Sequence, residues 1–575
     1  MISAMRESTR SRLRRAVIAL ALLALPAVAL PAAASAATPG PAFAISAFVS
    51  PTNFIPNTSD GRDFYVVQVR NTGSQDTTGP ITVSDVLPPG VSLNPQTSAF
   101  GGGAVITFRG IIANSGAGSC DPGPPVATCT LAEALHPGDT YRIYIPVNVE
   151  AGVSGAVTNR FSVSGGGAPG ASGTLETPVS PEAAPFAFQG LEMSLTGEDG
   201  NAETRAGAHP YEMHVGTQFN TNYSGTNNLP PQNIKDIFAT LPKGLVLNPH
   251  ATTALCTEAQ FETAICPLGS AVGLAHIRVS QLGPVLPSGN ERLYNLVPPP
   301  GAAAAFGFNA AGFGMFIHLL ARVRPDGDYA LGADIRNIPQ YGQMSGTTLE
   351  FWGNPSSPSH DFMRAPSSCV ATAGGGVTQC GTEAANSVCY SVGQQVFCPT
   401  EAGKIPLITM PSACSGPLNA TLTADSWQNP GHFVSGSTQT TGYSGEPVGV
   451  NGCDKLPYHP ANETVLSTDQ AGTGTGLDFK VDFPDDGLES EKALAESNTM
   501  KTEVELPEGL TINPSLGEGL GFCTPAQYAK ETVDSLLGEG CPADSKLGTL
   551  YLTSPLVDEA LEGTVFLAQQ DNPET

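Results

Sequence analysis

The chain has 575 residues, long enough for three or more domains, and its 65 Gly, 50 Pro and 14% charged residues favour many short strands over helical bundles. Lys and Arg number 26 against 52 Asp and Glu, a formal charge of -26 that repels nucleic acid and anionic membrane surfaces. Composition therefore excludes nucleic-acid binding and points to an all-β protein.

The first 36 residues read as a signal peptide. MISAMRESTRSRLRR is a basic n-region, AVIALALLALPAVAL is an apolar core of about fifteen residues, and Ala34-Ser35-Ala36 is a small-residue cleavage site. The apolar run is short and broken by Pro26 and Pro31, which argues against a membrane helix in the mature chain. Arg14-Arg15 lacks the usual neighbours of a twin-arginine signal, and no Cys precedes Cys120 to carry a lipid. The expected location is extracellular or in the cell envelope.

Export changes the meaning of the 12 cysteines, because outside the cytosol an even count is read first as disulfides. They fall into near neighbours: Cys120 and Cys129, Cys256 and Cys266, Cys369 and Cys380, Cys389 and Cys398, Cys414 and Cys453, Cys523 and Cys541. Between Cys369 and Cys453 six cysteines leave the pairing open. Closing each such loop contributes ~3 kcal/mol. There is no CxxC for a zinc ribbon or a thioredoxin-like site.

Residues 43–163 are expected to form a β-sandwich. DFYVVQVRNTG places Tyr65, Val67 and Val69 on one face, and YRIYIPVNVE alternates Tyr141, Ile143, Ile145, Val147 and Val149 as a half-buried strand. Between them LPPGVSLNP, from Leu87 to Pro95, reads as strand end, turn, short strand and stop, with Pro88 at the second turn position and Gly90 closing the turn. Near-copies recur as LPKGLVLNP from Leu241 and LPEGLTINP from Leu506.

Asn71-Thr72-Gly73, ITVSDVLPP from Ile81 to Pro89, Gly90-Val91 and the late HPGDTYRIYIPVNV resemble the immunoglobulin-like repeats of large bacterial surface proteins, a domain of unknown function. The resemblance covers roughly Phe43 to Val163 and implies a stalk or adhesion module with no catalytic residue to carry over. Residues 164–185 are Gly/Pro/Ser-rich and read as a flexible linker.

Residues 186–455 and 456–575 read as two copies of a larger β-rich module, the second incomplete by comparison with the first. NIKDIFATLPKGLVLNP, CTEAQF and CPLGSAVG of the first correspond to MKTEVELPEGLTINP, CTPAQY and CPADSKLG of the second. Thr257 with Gln260 and Thr524 with Gln527 fit capping boxes, so a short helix should follow each first cysteine. This region resembles large secreted β-rich repeat proteins of high-GC Gram-positive bacteria without established activity, which implies architecture and not a reaction.

Signals for chemistry are few. Gly442-Tyr443-Ser444-Gly445 falls one residue short of G-x-S-x-G, and Gly101-Gly102-Gly103 follows no phosphate-binding fingerprint. His136, His209 and His459 each precede a proline and read as turn residues, His318 as a strand residue, and His209 with His214 lacks the HExxH helix of a metal pair. PDDG at Pro484 and PDGD at Pro325 read as hairpin turns, not calcium loops. No metal, cofactor or catalytic site is expected.

The leading expectation is a non-enzymatic secreted or envelope protein, a spacer or adhesin of tandem immunoglobulin-like modules with local disulfides and short helical insertions. Its partners would be cell-wall or surface glycans or other envelope proteins. The rivals are a secreted carbohydrate-active enzyme using Glu350 before Phe351-Trp352, and a carbohydrate-binding module using the face around Trp352, one of only two tryptophans with Trp427.

Overall fold

The computed structural model describes residues 38–569 apart from 95–104, 109–110, 113–117, 122–125, 226, 280–290, 311–314, 325–329, 341–342, 367–368, 370–387, 393–394, 401–402, 443–444, 507, 511–520, 533–534 and 558–559. The signal peptide, Gly101–Gly103, Pro325–Asp328, Cys380 and the Tyr443-Ser444 pair lie outside the described residues.

Two antiparallel sheets form a sandwich at the start of the described chain. One orders Phe43–Ser50, Thr58–Asn71, Thr140–Val149, Val105–Phe108 and Ile111–Ile112, with Val91–Leu93 also pairing onto Thr140–Val149. The other orders Ala171–Val179, Gly155–Gly165, Ile81–Val86, Val126–Leu131 and Gly118–Asp121. The side-chain period of two sends Tyr65, Val67, Val69, Tyr141, Ile143 and Ile145 into one core with Ile81, Val83, Phe161 and Val163. The expected half-buried strand at Tyr141–Val149 is corrected: Arg142 and Tyr144 on its other face are buried as well, because a second sheet docks there.

The flexible linker expected at 164–185 is also corrected. Ala171–Val179 is a strand paired along its length with Gly155–Val163, and the residues after it are hydrogen-bonded to the next module. Asn222 receives the Ala184 N–H at 2.8 Å and donates to the Ala184 carbonyl at 2.9 Å, while Asn220 donates to the Pro185 carbonyl. Its glycines open turns at the strand ends, and the alternating Ala, Thr and Val between them suit a strand.

The next module is built on a single 11-stranded antiparallel sheet running from Phe188–Thr196 through Glu212–Phe219, Met344–Trp352 and Ala271–Val279 to Asn419–Ser426 and Asn429–Gln439. The sheet curls until its two edge strands meet, with Met193 bridged in parallel to Thr440. Met213, Phe219, Leu349, Phe351, Ala275, Ile277, Phe306 and Leu319 line the enclosed core. Twist accumulated over many strands favours such curling.

The thrice-repeated phrase has a common geometry. Gly90, Gly244 and Gly509 have φ of +78°, +79° and +94°, a conformation that a Cβ disfavours. The Val91 N–H donates to the Pro88 carbonyl and the Leu245 N–H to the Pro242 carbonyl, so the shared proline stands first in the turn rather than second as its sequence suggests. The following short strands pair elsewhere, Val91–Leu93 with Val147–Val149 and Val246–Leu247 with Ile408–Thr409. Asn94 and Asn248 then close each phrase while buried, donating to the carbonyls of Ser59 and Leu488.

The two copies share their local hydrogen bonding around the first cysteine. Helices Glu258–Glu262 and Pro525–Tyr528 both carry complete capping boxes, and the N–H groups of Cys256 and Cys523 donate to Asn295 and Leu567 carbonyls at 2.9 and 2.7 Å. Their surroundings differ. Phe261 is 1% exposed under the first sheet, whereas its counterpart Tyr528 is 65% exposed. Lys546–Leu552 and Leu561–Phe566 pair only with each other among the described residues. PDDG is not a hairpin turn as expected: Asp486–Glu489 form a short helix there.

Two aspartates sit inside the sandwich. Asp85 is 1% exposed and accepts from Asn159 Nδ2 at 2.7 Å, while Asp63 is 0% exposed and accepts from Thr58 Oγ1; the second oxygen of each has no hydrogen-bond partner. Burial pushes both carboxyls up to about 7. A folded-state pKa raised above 3.8 favours the protonated form, so their contribution to stability is full below about pH 4 and lost as pH rises through about 7. Denaturant unfolding followed at pH 5 and pH 8 is expected to show a drop of about 5 kcal/mol, with Asp85→Asn removing about half of it.

Candidate functional site

The alternation that fills each core also creates an outer face, and here the outer faces of the two modules meet. On the large sheet, one cross-strand row reads Ser194, His214, Glu350 and Leu274, and the next reads Glu192, Gly216, Thr348 and His276. Glu212 lies one step along from His214 on the same face, and Arg278 one step along from His276. The sandwich presents Gln68, Arg70, Arg142 and Tyr144, the residues between its core-facing positions. Arg70 is 6%, Arg142 4%, Glu212 1%, Glu350 0% and His276 1% exposed.

Arg70 crosses the junction to Glu212 Oε1 and stands 3.3 Å from Glu350 Oε1. Glu350 Oε1 is also 3.4 Å from His276 Nε2. His214 Nε2 lies 3.5 Å from Glu192 Oε2, whose side chain keeps 49% of its surface exposed at the rim. Arg278 donates to Gln218 Oε1 at 2.6 Å and the Thr217 carbonyl at 2.5 Å, with its guanidinium 5.1 Å from the centre of the Phe48 ring. Burial pushes the Glu212 carboxyl up, against the pull of Arg70. Burial pushes Glu350 the same way, but His276 and Arg70 outweigh it and hold that carboxyl down. Burial, with Arg70 nearby, pushes the His214 imidazole down. Beside the junction a cleft of about 820 Å³ is lined by Arg70, Arg142, Arg160, Glu192, His214 and Thr348.

Glu350 is therefore not the solvent-facing strand-end carboxylate that its neighbours in sequence suggest. Its closest acidic companion, Glu212, offers a ligand atom within 4.8 Å, near the spacing of a retaining glycosidase, yet both are sealed under the sandwich where no glycosidic bond can reach. The carbohydrate-binding face expected around Trp352 is corrected too. Trp352 is 0% exposed and stacks at 4.6 Å on His360, which the turn Pro358–His360 folds over it. Trp427 is half-buried and donates to the Ile338 carbonyl at 2.8 Å.

The histidines singled out in the sequence separate. His209 is occupied by the carbonyls of Ile408 and Ala493, far from pairing with His214. His136 bonds Asp76 and Gln395, His459 pairs with Glu496, and His318, in strand Met315–Val323, pairs with Glu258. Of the cysteines, Cys120–Cys129, Cys256–Cys266, Cys389–Cys398, Cys414–Cys453 and Cys523–Cys541 are bridged, Cys369 is also disulfide-bonded, and no described cysteine is free. Among the described residues no helix is long and apolar enough to cross a membrane.

Sequence reading missed Arg70, Glu212, His276 and Arg278. Their alternation with apolar residues is the pattern of any half-solvated strand, and only their register across strands distant in sequence reveals the cluster.

No protein-family model and no curated protein matches the chain. Among solved structures it is similar to the collagen-binding subdomain of the Enterococcus faecalis surface protein ACE, with 10% identity over 25% of this chain and 99% of that one and a TM-score of 0.17. The C-terminal domain of the Streptococcus agalactiae AgI/II polypeptide BspA aligns at 8% identity over 69% and 99%, TM-score 0.18. The major pilin subunit BcpA of Bacillus cereus aligns at 10% over 53% and 66%, TM-score 0.19.

Arg70→Ala leaves two buried carboxylates without their cation and is expected to destabilise the protein by about 3–5 kcal/mol. Arg70→Met combined with Glu212→Gln, which removes charge from both sides, is expected to recover most of that loss. Urea unfolding of the two variants measures it, and equal losses in both would contradict a charge-compensation role.

Proposed function

We propose that this chain is a non-enzymatic extracellular or envelope protein whose β modules serve a structural or adhesive role. The observation that carries the reading is the set of sulfur bridges: every described cysteine is oxidised, and the five described pairs each close a loop of 9 to 39 residues. Such a set is stable in an oxidising compartment and is reduced in the cytosol. It agrees with the export signal expected from the first 36 residues.

A non-enzymatic role is supported by the fate of the carboxylate and tryptophan best placed by sequence for sugar chemistry. Glu350 is spent on charge balance beneath the sandwich, and Trp352 on packing beneath the turn Pro358–His360. Surface or cell-wall glycans and envelope proteins are the partners that this reading implies, reached through faces other than Trp352.

Expression in an exporting host followed by intact-mass measurement is expected to give a chain cleaved after Ala36 and unreactive to thiol reagents without reduction. Assays on polymeric cell-wall substrates are expected to show no turnover. Free thiols in the exported material, or hydrolysis that Glu350→Gln abolishes without unfolding the chain, would overturn the proposal.

A further inference from the structure

The junction holds more metal-ligating atoms than its ion pairs engage. Glu212, His214 and Glu350 each offer a ligand atom, and these atoms lie within 4.8 Å of one another. The arrangement follows from register: Glu212 and His214 are two residues apart on one strand, and Glu350 is directly opposite His214 on the next.

A second observation is independent of that spacing. His276, on the third strand and 1% exposed, has no hydrogen-bond partner at either ring nitrogen, and its Nε2 lies 3.4 Å from Glu350 Oε1. His214 Nδ1 and both Glu350 oxygens also lack hydrogen-bond partners. Buried polar atoms are nearly always satisfied, so orphans gathered in one patch point to a partner that several of them share.

Arg70 does not meet the need. Its guanidinium is turned to the carboxylates of Glu212 and Glu350, and both His276 nitrogens and His214 Nδ1 stay without a hydrogen-bond partner.

We propose that Glu212, His214 and Glu350, with His276 as fourth donor, bind one divalent transition-metal ion, zinc by donor chemistry, beneath the sandwich. Two imidazoles with two carboxylates suit a borderline ion that accepts four ligands, whereas calcium takes six to eight oxygens. All four donors belong to the large sheet, so the sheet holds the ion and the sandwich covers it. Arg70 stays on Glu212 as the hydrogen-bonding partner that a ligating carboxylate usually keeps. With four protein donors the ion is structural.

The test uses the exported, oxidised full chain, stripped with chelator and dialysed against zinc chloride. Elemental analysis is expected to give one zinc per chain, with a midpoint of thermal unfolding that rises on loading. X-ray absorption at the zinc edge is expected to show a shell of nitrogen and oxygen near 2.0–2.2 Å with imidazole scattering. His276→Gln is expected to weaken binding at least tenfold, and Glu350→Gln combined with His214→Gln to abolish it, circular dichroism reporting whether each variant remains folded. A wild-type chain that takes up no zinc at micromolar concentration, zinc retained at full affinity by the double variant, or an absorption spectrum without imidazole would overturn the assignment. Because the wild-type spectrum identifies the donors directly, a variant that fails to fold does not leave the question open.

Discussion

Two β layers can meet through charge only if every charge carried into the seam has its opposite there, and that condition governs this molecule. Arg70 enters from the sandwich, Glu212 and Glu350 from the large sheet, and all three are almost fully buried. Removing ions from water is unfavourable, so such a seam adds less to stability than an apolar one would; what it adds is a defined placement, since sliding one layer over the other would bury the charges unpaired. The hydrogen bonds between Thr52 and Thr221 and from Gln189 to Val49 follow from that placement.

The sequence made the two cores legible and the seam between them illegible. DFYVVQVRN announces Tyr65, Val67 and Val69 as one face, and they are in the core. The same rule assigns Gln68 and Arg70 to the other face and stops there, because alternation records that a face is polar but not whether water or protein covers it. Glu350 shows the same limit: its neighbours Phe351 and Trp352 suggested a sugar-binding edge, while its actual neighbours are Arg70, Glu212 and His276, each far away in the chain. Cysteine proximity was the better guide, since a bridge across a nine- or ten-residue loop is decided by local turns that the sequence does contain.

The repeated unit separates what is local from what is not. Cys256 and Cys523 introduce similarly capped helices and donate to the carbonyls of Asn295 and Leu567, although the bridges link residues 10 and 18 positions apart. Loop entropy rises slowly with length, so the bridge tolerates the insertion. Burial is not local: Leu274 is 1% exposed between two paired strands, while Leu550 and Leu552 in the second copy are 56% and 52% exposed. The motif thus specifies a scaffold, and the surrounding sheet decides whether its apolar residues are covered.

The bridge between Cys414 and Cys453 has a consequence for how the molecule answers a pull. It encloses both strands of the hairpin at the closing edge of the large sheet, Asn419–Ser426 and Asn429–Gln439. Tension travelling along the polypeptide crosses from one sulfur to the other and bypasses that hairpin. The strand that seals the curled sheet against Met193 is therefore shielded from extension for as long as the sulfurs stay joined.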